Sequence, residues 1–175
     1  MDSDRRVRKV PSLVSPDASP GLTFMLASPW HLIALGAGAG LSRYAPGTLG
    51  SILGLILGLL LAQMPLVTAG LVLAGLLAVG AEASRRSSSA LGEHDHNAIV
   101  IDEVFGMAAV AAFAPAGWIW LVLSFALFRV CDSCKPWPVF LVERRFVSGF
   151  GIMADDAAAS VYALAGVWAL RSALS

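Results

Sequence analysis

Charge is what this sequence has least of. Asp, Glu, Lys and Arg make up 14% of the 175 residues, with 12 acids against 12 bases and a formal net charge of zero. That balance leaves no basic field of the kind a nucleic-acid partner reads. Cysteine is nearly absent: Cys131 and Cys134 are too few and too close together for a disulfide framework. A secretory leader is missing too, because the basic cluster in MDSDRRVRKVPSLVSPDASPG is not followed directly by an apolar run. The Pro, Ser and Asp content of residues 1–21 predicts a flexible arm, expected on the cytoplasmic side from its basic residues. What remains is apolar. A hydrophobic share of 57% and a mean hydropathy of +0.75 predict an all-α integral membrane protein, with one helical domain over 22–175.

Four to six helices are expected, arranged in hairpins. Leu22–Leu41, broken by Pro29, His31 and GAGAG, reads as an interfacial helix and loop, with a span left open. Leu49–Gln63 and Leu66–Ala81 are apolar runs split by Met64-Pro65. Each is ~23 Å long as a helix, short of the ~30 Å hydrocarbon core, so flanking turns must complete the crossing. Gly54, Gly58, Gly70 and Gly75 are expected to let helix backbones approach closely. Residues 82–97 read as a polar loop. Helices of about 99–114 and 116–131 follow, hinged at Ala-Pro-Ala-Gly (114–117), where Pro lacks an N–H and Gly tolerates left-handed backbone. A polar segment over 132–154 precedes a last helix of about 155–170.

Nothing charged lies between Val104 and Phe128. Read as a hairpin, that stretch sets Asp102 and Glu103 against Arg129, Asp132 and Lys135, and puts every polar loop on one side. Arg5, Arg6, Arg8, Lys9, Arg43, Arg85, Arg86, Arg129, Lys135, Arg144 and Arg145 then share that side and only Arg171 does not, so the common side is cytoplasmic.

Segments 45–51, 94–103, 128–138 and 149–156 converge there and carry the acids Glu93, Asp95, Asp102, Glu103, Asp132, Asp155 and Asp156. Carboxylates near lipid need a partner, and hard oxygen donors in this number suit Mg²⁺ with a phosphate substrate. Thr48, Ser51, Arg129 and Lys135 are the phosphate-binding candidates. Blander readings stand beside these. Thr48 or Ser51 could simply be a helix N-cap, and Asp155-Asp156 could only complement the last helix's dipole. Trp30 and Trp137 suit interface anchors, Arg144 and Arg145 headgroup contacts. A zinc site from His94, His96, Cys131 and Cys134 is a weaker alternative. Cysteine-phosphatase, DxDx[TV] and histidine-dependent lipid-phosphatase patterns are all missing.

The pieces APGTLGSILG (45–54), HDHNAIVIDEVFGM (94–107), FRVCDSCKPWP (128–138) and GFGIMADDAAASVYA (149–163) stand in one order across most of residues 36–165. Together they resemble the phosphatidylglycerophosphatase A family, with Ser133, Cys134 and Ser160 as minor departures. The resemblance implies a Mg²⁺-dependent hydrolase of the bacterial inner membrane. It would act in phospholipid biosynthesis by removing the terminal phosphate of phosphatidylglycerophosphate to leave phosphatidylglycerol. Its active site would face the cytoplasm and its partners would be substrate and membrane lipids; a homo-oligomer is left open. Asp102, Glu103, Asp132, Asp155 and Asp156 would hold the metal and supply a general base, with Lys135 and either Arg129 or Thr48 steadying phosphoryl charge. The expected catalytic set is then Asp102, Glu103, Asp132, Lys135 and Asp156. An aspartyl-phosphate intermediate is the open alternative. Two rivals are a small ion-coupled transporter using the acidic cluster and a non-catalytic scaffold. Against the first, the acids gather at one face and none sits mid-span.

Overall fold

The computed structural model describes residues 20–93, 96–134 and 149–174. Among them every regular element is helical. Two short helices, α1 (Leu22–Leu26) and α2 (Pro29–Ala34), lead into a 3₁₀ segment, Gly36–Leu41. Five longer helices follow: α3 (Pro46–Leu61), α4 (Leu66–Leu91), α5 (Ile101–Phe113), α6 (Trp118–Cys134) and α7 (Gly149–Ala173). Most of the 1–21 arm, together with His94, Asp95, Lys135, Trp137, Arg144 and Arg145, lies outside the described residues.

Helix α5 is the centre. Ile101, Val104, Phe105, Gly106, Met107, Ala108, Val110 and Ala111 are all buried, so the helix is covered on nearly every side, as a core helix must be. Helix α3 lies against it along one seam. A Cβ placed on Gly50 would come 2.9 Å from Val100 Cβ, one on Gly54 3.0 Å from Met107 Cβ, and one on Gly58 2.6 Å from the Ala108 carbonyl oxygen. Residues four apart share a helix face, so three glycines bring two backbones together in the small-residue mode of packing. Gly70 and Gly75 do not serve this way: nothing lies within 4 Å of a Cβ at either. The expectation of close approach holds on α3 and fails on α4.

The seam also gives direction, since Gly50, Gly54 and Gly58 meet successively later residues of the 100–111 stretch. α3 and α5 therefore run parallel. Near the start of α7, a Cβ on Gly149 would meet the Arg85 amide 2.6 Å away. Near its far end, Trp168 Nε1 donates to the Phe113 carbonyl at 3.0 Å. The beginnings of α3, α5 and α7 thus lie at one end of the bundle, and the α5–α6 turn, with Gly117 at φ 121, lies at the other.

Two boundaries differ from those expected. α4 does not stop at Ala81 but runs on to Leu91, where Gly92 caps it at φ 76. The polar residues after 81 hold the helix rather than ending it: Glu82 accepts from Arg85 Nε at 2.8 Å and Arg86 Nε at 2.6 Å, pairs spaced three and four along the chain. α7 is helical from Gly149, six residues before the expected start at 155. Asp155 and Asp156 are consequently inside the helix and not at its first turn.

α4 and α7 are long and apolar enough to cross a membrane, and α3 is a shorter apolar helix. Ile56, Leu60, Leu66, Val67 and Leu71 are exposed. An outward apolar surface of this kind is what lipid covers.

Candidate metal and phosphate site

Asp102 and Glu103 occupy the first turn of α5, where the helix dipole favours negative charge. Asp156 comes to them from α7. One carboxylate oxygen from each of the three lies within 4.8 Å of the others. Gly106, one turn beyond Asp102, permits the approach of α7. A Cβ there would stand 2.6 Å from the Phe128 ring and 3.2 Å from Asp156 Cβ.

Three carboxylates so close repel one another strongly in a poorly hydrated interior unless a cation stands among them. Glu103 Oε2 and Asp156 Oδ2 are buried with no hydrogen-bond partner among the described residues. Orphaned acceptors on converging carboxylates suit a hard divalent cation, which takes oxygen ligands. Asp102, Glu103 and Asp156 could therefore hold a metal ion.

A cation of the protein's own stands beside them. Arg129 Nη1 donates to Asp132 Oδ2 at 2.7 Å, one turn along α6, and to Ser51 Oγ at 3.3 Å. Ser51 Oγ in turn donates to the Gly47 carbonyl at 2.9 Å. Gly47 is the hinge of the arrangement. A Cβ at that position would collide with Glu103 Oε1 and lie 3.4 Å from Arg129 Nη1. The Arg129 guanidinium and the Glu103 carboxylate thus meet over a bare backbone at the start of α3.

The remaining candidates fall as follows. Asp132 is held by Arg129 and also faces Asp156. Asp155 is buried, with 8% of its surface exposed, but is not in the cluster of three. Lys135 lies outside the described residues. Thr48 stands in the first turn of α3 with its amide bonded to the Ala45 carbonyl at 3.0 Å. Neither Thr48 nor Ser51 caps the helix: the N-cap is Ala45, in left-handed backbone at φ 46 with no side-chain cap bond. The same cluster is the single group of three or more metal-type side chains among the described residues, so His96, Cys131 and Cys134 do not assemble one. Sequence reasoning passed over Gly47 and Gly106. The signal for both was a glycine on a helix within one turn of a functional side chain.

An apolar helical bundle, with a metal-competent carboxylate cluster and a fixed guanidinium at one end, defines a helical phosphohydrolase-type site. A profile of the phosphatidylglycerophosphatase A family matches residues 32–171. The chain is 40% identical over 148 residues to the phosphatidylglycerophosphatase A of Haemophilus influenzae, covering 83% of this chain and 91% of that one. It is 36% identical over 137 residues to the Escherichia coli protein of the same name, covering 78% and 80%. A Bacteroides thetaiotaomicron protein, 37% identical over 139 residues (75% and 86%), is named, provisionally, as a phosphatidylinositol-3-phosphatase. No solved structure matches the chain. The chain belongs to the phosphatidylglycerophosphatase A family of phosphatases.

Proposed function

We propose that this protein hydrolyses the terminal phosphomonoester of phosphatidylglycerophosphate to give phosphatidylglycerol and orthophosphate, with Mg²⁺ held by Asp102, Glu103 and Asp156. The observation that carries the reading is the meeting of those three carboxylates, within 4.8 Å, with an arginine against the same backbone at Gly47. The substrate follows from the names of the Haemophilus and Escherichia relatives.

When bound, a divalent ion polarises the phosphoryl oxygens and makes a bound water acidic. The protein's own part is positioning and charge compensation, which is most of what phosphoryl transfer requires. Asp102 and Glu103 from α5 and Asp156 from α7 hold the ion. Arg129, steadied by Asp132 and Ser51, offsets negative charge on the equatorial phosphoryl oxygens. Asp132, at the rim with 19% of its side chain exposed, accepts the proton of the attacking water. Asp155 in α7 would be a further acid near the ion, Thr48 at the start of α3 a further phosphate contact, and Lys135, outside the described residues, would supply a second positive charge.

The site end of the bundle faces the cytoplasm, on the argument that Arg43, Arg85, Arg86 and Arg129, among the described residues, stand at that end and Arg171 at the other. α4 and α7 cross the inner membrane, while α5 and α6 form a hairpin with its turn at the far end. An ion-coupled transporter finds no support, because the acids sit at one end of α5 and α7 and not along a path.

The deciding experiment is phosphate release from phosphatidylglycerophosphate by the detergent-purified protein, with Mg²⁺ and then with EDTA. Release that needs Mg²⁺ is expected. A folded sample that releases nothing in either condition overturns the reading, and preference for phosphatidylinositol 3-phosphate would reassign the headgroup.

A further inference from the structure

A second polar feature lies one step from the carboxylates and takes no part in the chemistry above. It is a cleft of about 360 Å³ lined by Pro20, the 3₁₀ end Gly40–Arg43, Pro46, and His96, Asn97 and Ala98. That volume is within the range of small-ligand sites. Among the described residues its charge is of one sign: Arg43 contributes a guanidinium, His96 and Asn97 contribute N–H donors, and no described Asp or Glu lines it. Arg43 makes no ion pair among the described residues.

The walls are fixed. A Cβ on Gly40 would collide with the Ala98 carbonyl oxygen, so the 96–98 turn rests directly on the 3₁₀ segment. The Ala98 amide donates to His96 Nδ1 at 3.0 Å, which leaves the ring proton of a neutral His96 on Nε2. Nε2 is also 3.9 Å from Glu93 Oε2, a carboxylate beside the cleft that is itself well exposed. Ser42 Oγ is spent on its own turn, donating to the Tyr44 carbonyl at 2.9 Å.

Placement connects this cleft with the site. Pro46, in its wall, immediately precedes Gly47, the residue against Glu103 and Arg129. Ala98, in the opposite wall, leads through Val100 into the α5 turn that bears Asp102. A ligand whose phosphomonoester sat at the carboxylates would therefore extend toward Arg43 and His96.

We propose that this cleft binds the phosphodiester of the lipid substrate, so that monoester and diester are read by separate groups: the carboxylate-held ion and Arg129 for the first, Arg43 and His96 for the second. The inference rests on the substrate reading above. Phosphatidylglycerophosphate carries both groups, joined by a glycerol. A planar guanidinium with a second N–H donor is the arrangement that recognises a phosphate oxygen pair. Carboxylates near the reacting group repel a second phosphate, and a cationic cleft beside them gives it a place of its own.

Two ligands separate the halves. Phosphatidylglycerol has the diester without the monoester, and glycerol 3-phosphate the monoester without the diester. In thermal unfolding of the full chain in detergent, short-chain phosphatidylglycerol should raise the midpoint of the wild type and lose that effect in Arg43→Gln, while orthophosphate raises both equally. His96→Gln should reproduce the loss in part. In turnover, Arg43→Gln should raise KM for phosphatidylglycerophosphate about tenfold and spare kcat, with a smaller change in KM for glycerol 3-phosphate. An undiminished phosphatidylglycerol shift in Arg43→Gln, or equal KM changes on the two substrates, overturns the proposal. A shift of the same size with phosphatidylcholine, also lost in Arg43→Gln, makes the cleft a general headgroup site and overturns it as well. A wild type that stabilises with phosphatidylglycerol through Arg43 but never cleaves phosphatidylglycerophosphate sinks the substrate reading, which is a different failure from loss of the phosphatidylglycerol shift.

Discussion

Asp156 is the residue on which the site turns, because it alone brings α7 to the carboxylates of α5. Asp156→Asn or Asp102→Asn should lower phosphate release by roughly a thousandfold or more while the protein elutes and melts as a folded species, since each removes charge where metal assistance acts. Near-normal turnover in either variant would take that residue out of the site. Ser51 acts at one remove, through Arg129. Ser51→Ala loses the charge-assisted hydrogen bond that the Arg129 guanidinium donates, about 1.5 kcal/mol, so kcat should fall about tenfold with KM little changed, and Arg129→Lys should fall further because a lysine lacks the planar fork. Away from the site, His31 Nδ1 is 2.9 Å from Ser87 Oγ and its ring stacks on Phe24 with centroids 4.3 Å apart. Burial pushes the His31 pKa below its ordinary 6.5. The unfolded chain then binds the extra proton first, so stability is complete above about pH 6.5 and declines as pH falls below it. The melting midpoint should drop by a few degrees, roughly, between pH 7 and pH 5, and His31→Gln should flatten that slope; an equally steep slope in the variant would assign it elsewhere. The three acids that cluster were among the five singled out as ligands, because carboxylates in so apolar a chain stand out, whereas Asp132 and Asp155 stand outside the cluster of three. Gly47 and Gly106 were not legible, since what matters there is the atom that is missing and which neighbour fills its place.

Between elements, the α3–α5 seam carries the packing that aligns the site. Gly54→Val or Gly58→Val should wedge the helices apart and cost about 1–3 kcal/mol, read as a lower melting midpoint and a loss of activity together. Gly70→Ala and Gly75→Ala offer the control. Each faces open space, so each should leave the midpoint unchanged or raise it slightly through helix propensity. The apolar runs and the turns at Met64-Pro65 and 114–117 were readable because Pro and Gly punctuate them. The ends of α4 and α7 were misjudged for one reason: polarity was read as loop. Glu82, Arg85 and Arg86 satisfy one another along a helix, and that spacing, not hydrophobicity, decides where α4 ends. Asp156 is polar inside a helix because the carboxylates it joins, Asp102 and Glu103, stand across the bundle on α5.

At the scale of the whole molecule, the carboxylate cluster that could hold an ion ties together residues 54 positions apart in sequence, Asp102 and Asp156. A ligand that binds only the assembled bundle stabilises it by mass action. The midpoint should therefore rise with Mg²⁺ concentration and fall in EDTA, and the Mg²⁺ dependence should vanish in Asp156→Asn. Persistence of the full effect in that variant would place the ion elsewhere. The helical class was legible from composition alone, and two helices, α4 and α7, are long and apolar enough to agree with the membrane reading. Which face of each helix met which neighbour was not legible, because a helix apolar all round has no stripe to read. The location of Asp156 has one more consequence, which concerns time. The ribosome delivers Asp102 and Glu103 well before α7, at ~5–20 residues per second. Until that last helix is made and docked, the growing chain holds two of the three carboxylates and no competent centre. Catalysis begins only with completion, so a chain cut short before Asp156 would reach the membrane inert.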